Sequence, residues 1–148
     1  MNPFFTTQER IAALYSAASS WHGTPFFGNS ASKGVGVSCQ FLAAAIYAEA
    51  GLSVASPPEV SMSHAKFSRE SLVEPWMDGQ TNFSSVPLEE TQAGDLLGFR
   101  IGHAIHHVGI LLGPGVFIHV VDGSTAQNSF LSDATWRRRL ARAWRPVE

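Results

Sequence analysis

The chain has 148 residues, 45% hydrophobic and 15% charged, with a formal net charge of -2. That is enough for one domain, residues 1–148, with a proper core, and the charge balance gives no footprint for nucleic acid. A single cysteine excludes an intrachain disulfide framework and any multi-cysteine zinc cluster.

The first ten residues, Met1 to Arg10, hold no basic segment followed by an apolar core, so they do not read as a secretory signal. No apolar run is long enough to span a bilayer. The expectation is a protein that is cytoplasmic as encoded, with neither membrane nor nucleic acid as partner. Work outside the cytoplasm would need a dedicated export system or a phage particle.

Thr6-Thr7-Gln8-Glu9 fits a capping box, with Glu9 three positions after Thr6. Ile11, Leu14, Tyr15 and Ala18 follow at helical spacing. The segment from Trp21 to Gly28 is rich in turn residues, and residues 29–36 form a polar loop. Next comes Val37-Ser38-Cys39-Gln40-Phe41-Leu42-Ala43-Ala44-Ala45-Ile46-Tyr47-Ala48-Glu49-Ala50-Gly51. Gly34 and Gly36 approach it, helix formers fill it, and Gly51 stands where a helix stops. Cys39 therefore falls in the first turn of a helix, where unpaired N–H groups and the helix dipole favour a thiolate. A small buried apolar residue fits the same position.

Pro57-Pro58 breaks the helix. Residues 59–79 are weakly helical, with Met62, Phe67, Leu72, Val73 and Trp76 as core contacts and His64 as a surface or packing residue. After Phe83 come short apolar runs: Leu96 to Phe99, Ile105 to Leu112, Val116 to Val121 and Thr125 to Phe130. Gly113-Pro114-Gly115 and Asp122-Gly123 separate them, as in an antiparallel meander. Asp95 suits a turn or strand start. Asp133 suits the cap of a short helix through Leu140, and residues 141–145 suit a last strand. Helices first and strands after give an α+β fold, N-terminal helices packed on a small antiparallel sheet.

His107 and His119 lie on neighbouring strands. In a hairpin centred near Pro114 their side chains share one face. With Cys39 they make a nucleophile, base and orienter set. Two other readings fit the same histidines. They are polar residues at a sheet edge, or zinc ligands together with His103 and His106, with or without Cys39, although no H-E-x-x-H pattern or carboxylate spacing supports a metal.

Trp21 to Phe26, then Gly34 to Cys39, then Ala93 to Leu97, then His107 to Gly113, then Phe117 to His119 resemble the NlpC/P60 cysteine peptidases in order and spacing. The resemblance runs from about Ile11 to Pro146 and implies a papain-like arrangement. It implies amide-bond cleavage in bacterial cell-wall peptides, often beside γ-D-glutamyl residues, with a peptide or peptidoglycan fragment as partner and no cofactor or metal. By position it makes Cys39 the nucleophile, His107 the general base and His119 the residue that orients it. The Cys39 N–H becomes part of the oxyanion hole, and Gly109 and Gly113 become structural. Phe26, Ser38, Gln40 and His106 complete the expected substrate-binding set.

The departures from the family pattern bear on specificity. Ser38 stands where the family usually has Asp, Gln40-Phe41 where it has Ser-Gly, and Phe26 where it often has Tyr. Ser38 cannot pair with a substrate ammonium. Phe26, Phe27 and Phe41 are expected to make the entrance less polar. A papain-like acyltransferase or amidase on another substrate, and a noncatalytic binding module on the same scaffold, are the alternatives.

Overall fold

A computed structural model describes residues 1–148. Helix α1, Gln8–Trp21, is capped by Thr7, whose hydroxyl accepts from Arg10 N. The cap falls one residue later than the capping box suggests. Thr6 is spent in a tighter turn, its N–H donating to Phe4 O, while Phe5 inserts into the core. Two short strands follow, β1 (Ala31–Ser32) and β2 (Gly36–Val37), paired with each other.

Helix α2, Cys39–Glu49, carries apolar residues nearly all round. Leu42, Ala43, Ile46 and Tyr47 are buried, so it is a central helix rather than a surface one. Gly51, with φ +90°, ends it in the left-handed region that glycine adopts without strain. Helices α3, Met62–Phe67, and α4, Val73–Asp78, divide the weakly helical stretch. Val73 and Met77 reach the core from α4, whereas Met62 and Phe67 of α3 are exposed, against expectation. A helix of six residues that buries nothing lies on the surface as a cover.

The sheet contains β3 (Phe83–Val86), β4 (Leu96–Ile101), β5 (Ala104–Gly113), β6 (Val116–His119) and β7 (Gln127–Phe130). Helix α5, Ala134–Arg139, is capped by Asp133 and leads into β8, Leu140–Pro146. The strand order is β3-β8-β4-β5-β6-β7, antiparallel throughout. Alternation along the strands separates two cores. Val108, Ile110 and Ile118 pack with α1 and α2, while Leu97, Phe99, Leu111 and Phe117 pack with Trp136 of α5. Asp95 is buried at the start of β4 and receives two hydrogen bonds from Arg145 and one from Gln92 N, which matches a strand-start role.

Candidate active site

The β5–β6 hairpin places the two histidines. Its register pairs Ile110 with Ile118 and Leu111 with Phe117, with an irregularity before Gly113. These pairs centre the hairpin on Pro114, and positions 107 and 119 fall two residues out of that register, so His107 and His119 meet diagonally rather than face to face. Both still leave the sheet on the α5 side. Gly109 makes the diagonal contact possible: a Cβ there would lie 2.9 Å from Ile118 O and 3.2 Å from His119 Cβ.

His107 Nε2 and His119 Nδ1 are 2.8 Å apart, and His119 Nε2 is 2.7 Å from Ser129 Oγ on β7. One set of tautomers serves a base at His107 Nδ1. Nε2–H of His107 donates to His119 Nδ1, and Nε2–H of His119 donates to Ser129. His107 Nδ1 then has no partner within the chain. Trp136 packs against both rings, tilted to His107 with centroids 5.4 Å apart and edge-on to His119 with centroids 4.7 Å apart. Ser129 and Trp136 escaped sequence reasoning, because a lone Ser in a polar strand and a Trp in a short helix carry no local signal.

Cys39 opens α2, as the helix-forming run requires. Its thiol lies beside the backbone that flanks His107, 3.9 Å from His106 O and 3.4 Å from Gln40 Oε1. It makes no hydrogen bond to the His107 ring. Ser38 leaves the helix start uncapped, so the first-turn N–H groups of Cys39 and Gln40 have no backbone or side-chain partner. Such donors suit a developing oxyanion.

Electrostatics run against a simple helix-dipole argument. Burial pushes the Cys39 thiol up to about 11, outweighing the N–H groups of Val108, Gln40 and Cys39 that favour the thiolate. Burial holds His107 well below its ordinary range, helped by the neighbouring His119 and Arg139. Burial alone takes His119 down to about 4. At neutral pH the cysteine and both imidazoles are uncharged.

A cleft of about 260 Å³ contains Cys39 and His107 together with Phe26, Ser38, Gln40 and His106. Phe27 and Phe41 are not in its lining: Phe27 is exposed against Gly36, and Phe41 packs on the core. The apolar character expected of the entrance therefore comes from Phe26, Val60, Met62 and Ile101. The Gln40 amide donates to Pro58 O at 3.0 Å. Asn29, held at φ +52°, exchanges two hydrogen bonds with Val60. Together they pin residues 58–60 along one wall. His106 Nε2 lies 2.8 Å from Ser68 O, and its ring meets His64 edge on, fixing α3 as the adjoining wall. No group of three or more His, Cys, Asp or Glu is arranged to hold a metal ion. No helix is long and apolar enough to cross a membrane.

A family model described as the NlpC/P60 family matches residues 23–145. No curated protein sequence matches the chain. Among solved structures, a lipoprotein-like NLP/P60 family protein from Staphylococcus aureus is 25% identical with a TM-score of 0.72. That match covers 99% of this chain and 44% of the other, so the chain spans under half of that protein's length. The peptidoglycan hydrolase RipB from Mycobacterium tuberculosis is 20% identical, with a TM-score of 0.61 over 95% of this chain and 65% of RipB. RipD from the same organism, described as a non-catalytic NlpC/p60 domain protein adapted to peptidoglycan binding, is 19% identical. Its TM-score is 0.60, over 96% of this chain and all of RipD, 100%.

Proposed function

Because the chain belongs to the NlpC/P60 family, we propose that it is a thiol hydrolase of amide bonds in peptidoglycan stem peptides. One observation carries this reading. The hydrogen-bond chain from Ser129 through His119 leaves His107 Nδ1 as the free nitrogen, in the cleft that holds Cys39.

Both reactants begin uncharged, so the thiol is activated by its base as it attacks, not as a standing ion pair. The substrate carbonyl enters beside the α2 N-terminus. The thiol swings from Gln40 Oε1 toward His107, a tightening that substrate binding commonly brings. Sγ bonds to the carbonyl carbon while His107 Nδ1 takes the thiol proton. The N–H groups of Cys39 and Gln40 receive the oxyanion. The C–N bond breaks, the leaving amine takes the proton from His107, and a thioester on Cys39 remains. Water attacks the thioester with His107 again as base, freeing the carboxylate and the thiol. Trp136 keeps water from both imidazoles throughout.

A second reading has its own support. The thiol makes no bond to the imidazole, burial holds it protonated, and RipD is described as non-catalytic. A peptidoglycan-binding module without turnover would look the same. Incubation with defined muropeptides, followed by mass spectrometry of the products, separates the two. Hydrolysis adds one water across an amide, resists EDTA and stops with iodoacetamide. Binding without new products supports the module, and transfer of the acyl group to an added amine supports an acyltransferase.

A further inference from the structure

Serine at a helix N-cap ordinarily turns its hydroxyl onto a first-turn N–H. Ser38 occupies the N-cap of α2 and makes no such bond. Its residue is 4% exposed, and its Oγ is buried with no hydrogen-bond partner at all. A buried hydroxyl left unpaired is unfavourable. Ser38 is one of the residues that line the cleft, next to Cys39. A hydroxyl both donates and accepts, and an amide, with its N–H and C=O, meets both capacities, where an ammonium only donates and a carboxylate only accepts.

The charges around it agree. Of the ten Lys and Arg residues, Arg10, Lys33, Arg142 and Arg145 are held in ion pairs. Lys66 and Arg139 are not, and both line the cleft as exposed residues. The Arg139 guanidinium sits 5.5 Å over the Trp136 ring. The only carboxylate in the lining is the exposed Asp122.

We propose that the cleft takes an acyl donor that offers an uncharged amide to Ser38 and a carboxylate to Lys66 and Arg139, and that it rejects a free ammonium group at that place. This rests on Cys39 as the residue that receives the acyl group and names the substrate class: a peptide blocked at its nitrogen and bearing a carboxylate.

Two measurements test it, the first without turnover. Methanethiosulfonates react with Cys39 by attack of the thiolate on the sulfenyl sulfur, forming a disulfide and releasing methanesulfinate. Rates for a sulfonate-bearing and a trimethylammonium-bearing reagent are each divided by the rate with a small free thiol. At low salt the normalised rates favour the anionic reagent by about fivefold or more, and Lys66→Glu with Arg139→Glu reverses the order. Equal rates, or a cationic preference in the wild type, overturn the proposal. The wild-type ratio needs no variant, so a misfolded substitution leaves the test standing.

The second measurement is binding to Cys39→Ala of an N-acetylated γ-D-glutamyl peptide and of its free-amine twin. The acetylated peptide binds about tenfold tighter, roughly one lost pairing. Ser38→Ala weakens it about fivefold and changes the twin by less than about twofold. A purely structural Ser38 would weaken both alike, and that outcome, or tighter binding of the free amine, overturns the proposal. The two readings fail separately. Charge selection without turnover removes the hydrolase, and turnover with preference for the free amine removes this specificity.

Discussion

His107 Nε2 lies 2.8 Å from His119 Nδ1, so the pair can offer a proton acceptor to the cleft only at His107 Nδ1. The roles are therefore unequal. His107→Ala lowers kcat/KM by about 10³, the usual span for a lost general base, and His119→Ala by about 10 to 10². Ser129→Ala costs several-fold, because it acts one bond further out. Steady-state kinetics on one peptide substrate checks the order, and equal complete losses for both histidines would show the roles to be misassigned.

Stability depends on pH with a definite sign. His107 and His119 titrate lower in the folded protein than their ordinary 6.5, His119 at about 4. Below about 6.5 the unfolded chain binds more protons, so stability falls as pH drops and is progressively lost toward 4. Cys39 titrates at about 11 against an ordinary 9.0, so stability also falls as pH rises between those values. Thermal unfolding should show a plateau from about pH 6.5 to 9. Trp136→Ala wets the imidazoles. The His119 ring resonances should then titrate closer to 6.5, and the acid limb should flatten.

Gly109 has no room for a side chain. Its added Cβ would meet the Ile118 carbonyl at 2.9 Å, which is backbone and cannot swing aside. Gly109→Ala is expected to cost about 1–3 kcal/mol through overpacking. It also lifts β6 and separates the two imidazoles. Denaturant unfolding together with kinetics should show activity lost beyond what the folded fraction explains.

Asp95 and Arg145 are a buried pair far from the chemistry, with side chains 1% and 15% exposed. Asp95→Ala leaves Gln92 N–H without its acceptor and the guanidinium with only the Glu90 carbonyl in place of its carboxylate. The expected loss is about 3 kcal/mol, read by chemical denaturation. The rate of Cys39 labelling in the folded protein should hold.

Much of this was legible in the sequence because it is local. Gly51, the helix formers before it and the glycine-spaced apolar runs impose α2 and the meander through backbone preference alone. Cys39 at a helix start and two histidines on one hairpin face followed from that. What was not legible depends on distant packing. Burial, not the helix dipole, governs the Cys39 thiol, and burial depends on how β5 lies against α2. Trp136 and Ser129 reach the histidines only because α5 and β7 fold back on the sheet. The cap moved from Thr6 to Thr7 because Phe5 is drawn into the core, a tertiary demand that no capping pattern records. Strand β3 is short and half polar, and pairing with β8 is what makes it a strand.

The most direct test of the account compares wild type with Cys39→Ala on the same peptidoglycan stem peptides, counting new carboxylates and amines released per enzyme. Wild type should release both in equal amounts, and the variant should fall by at least about 10³ because the chain has no other thiol to take the place of Cys39. Release by Cys39→Ala at the wild-type rate would contradict the account.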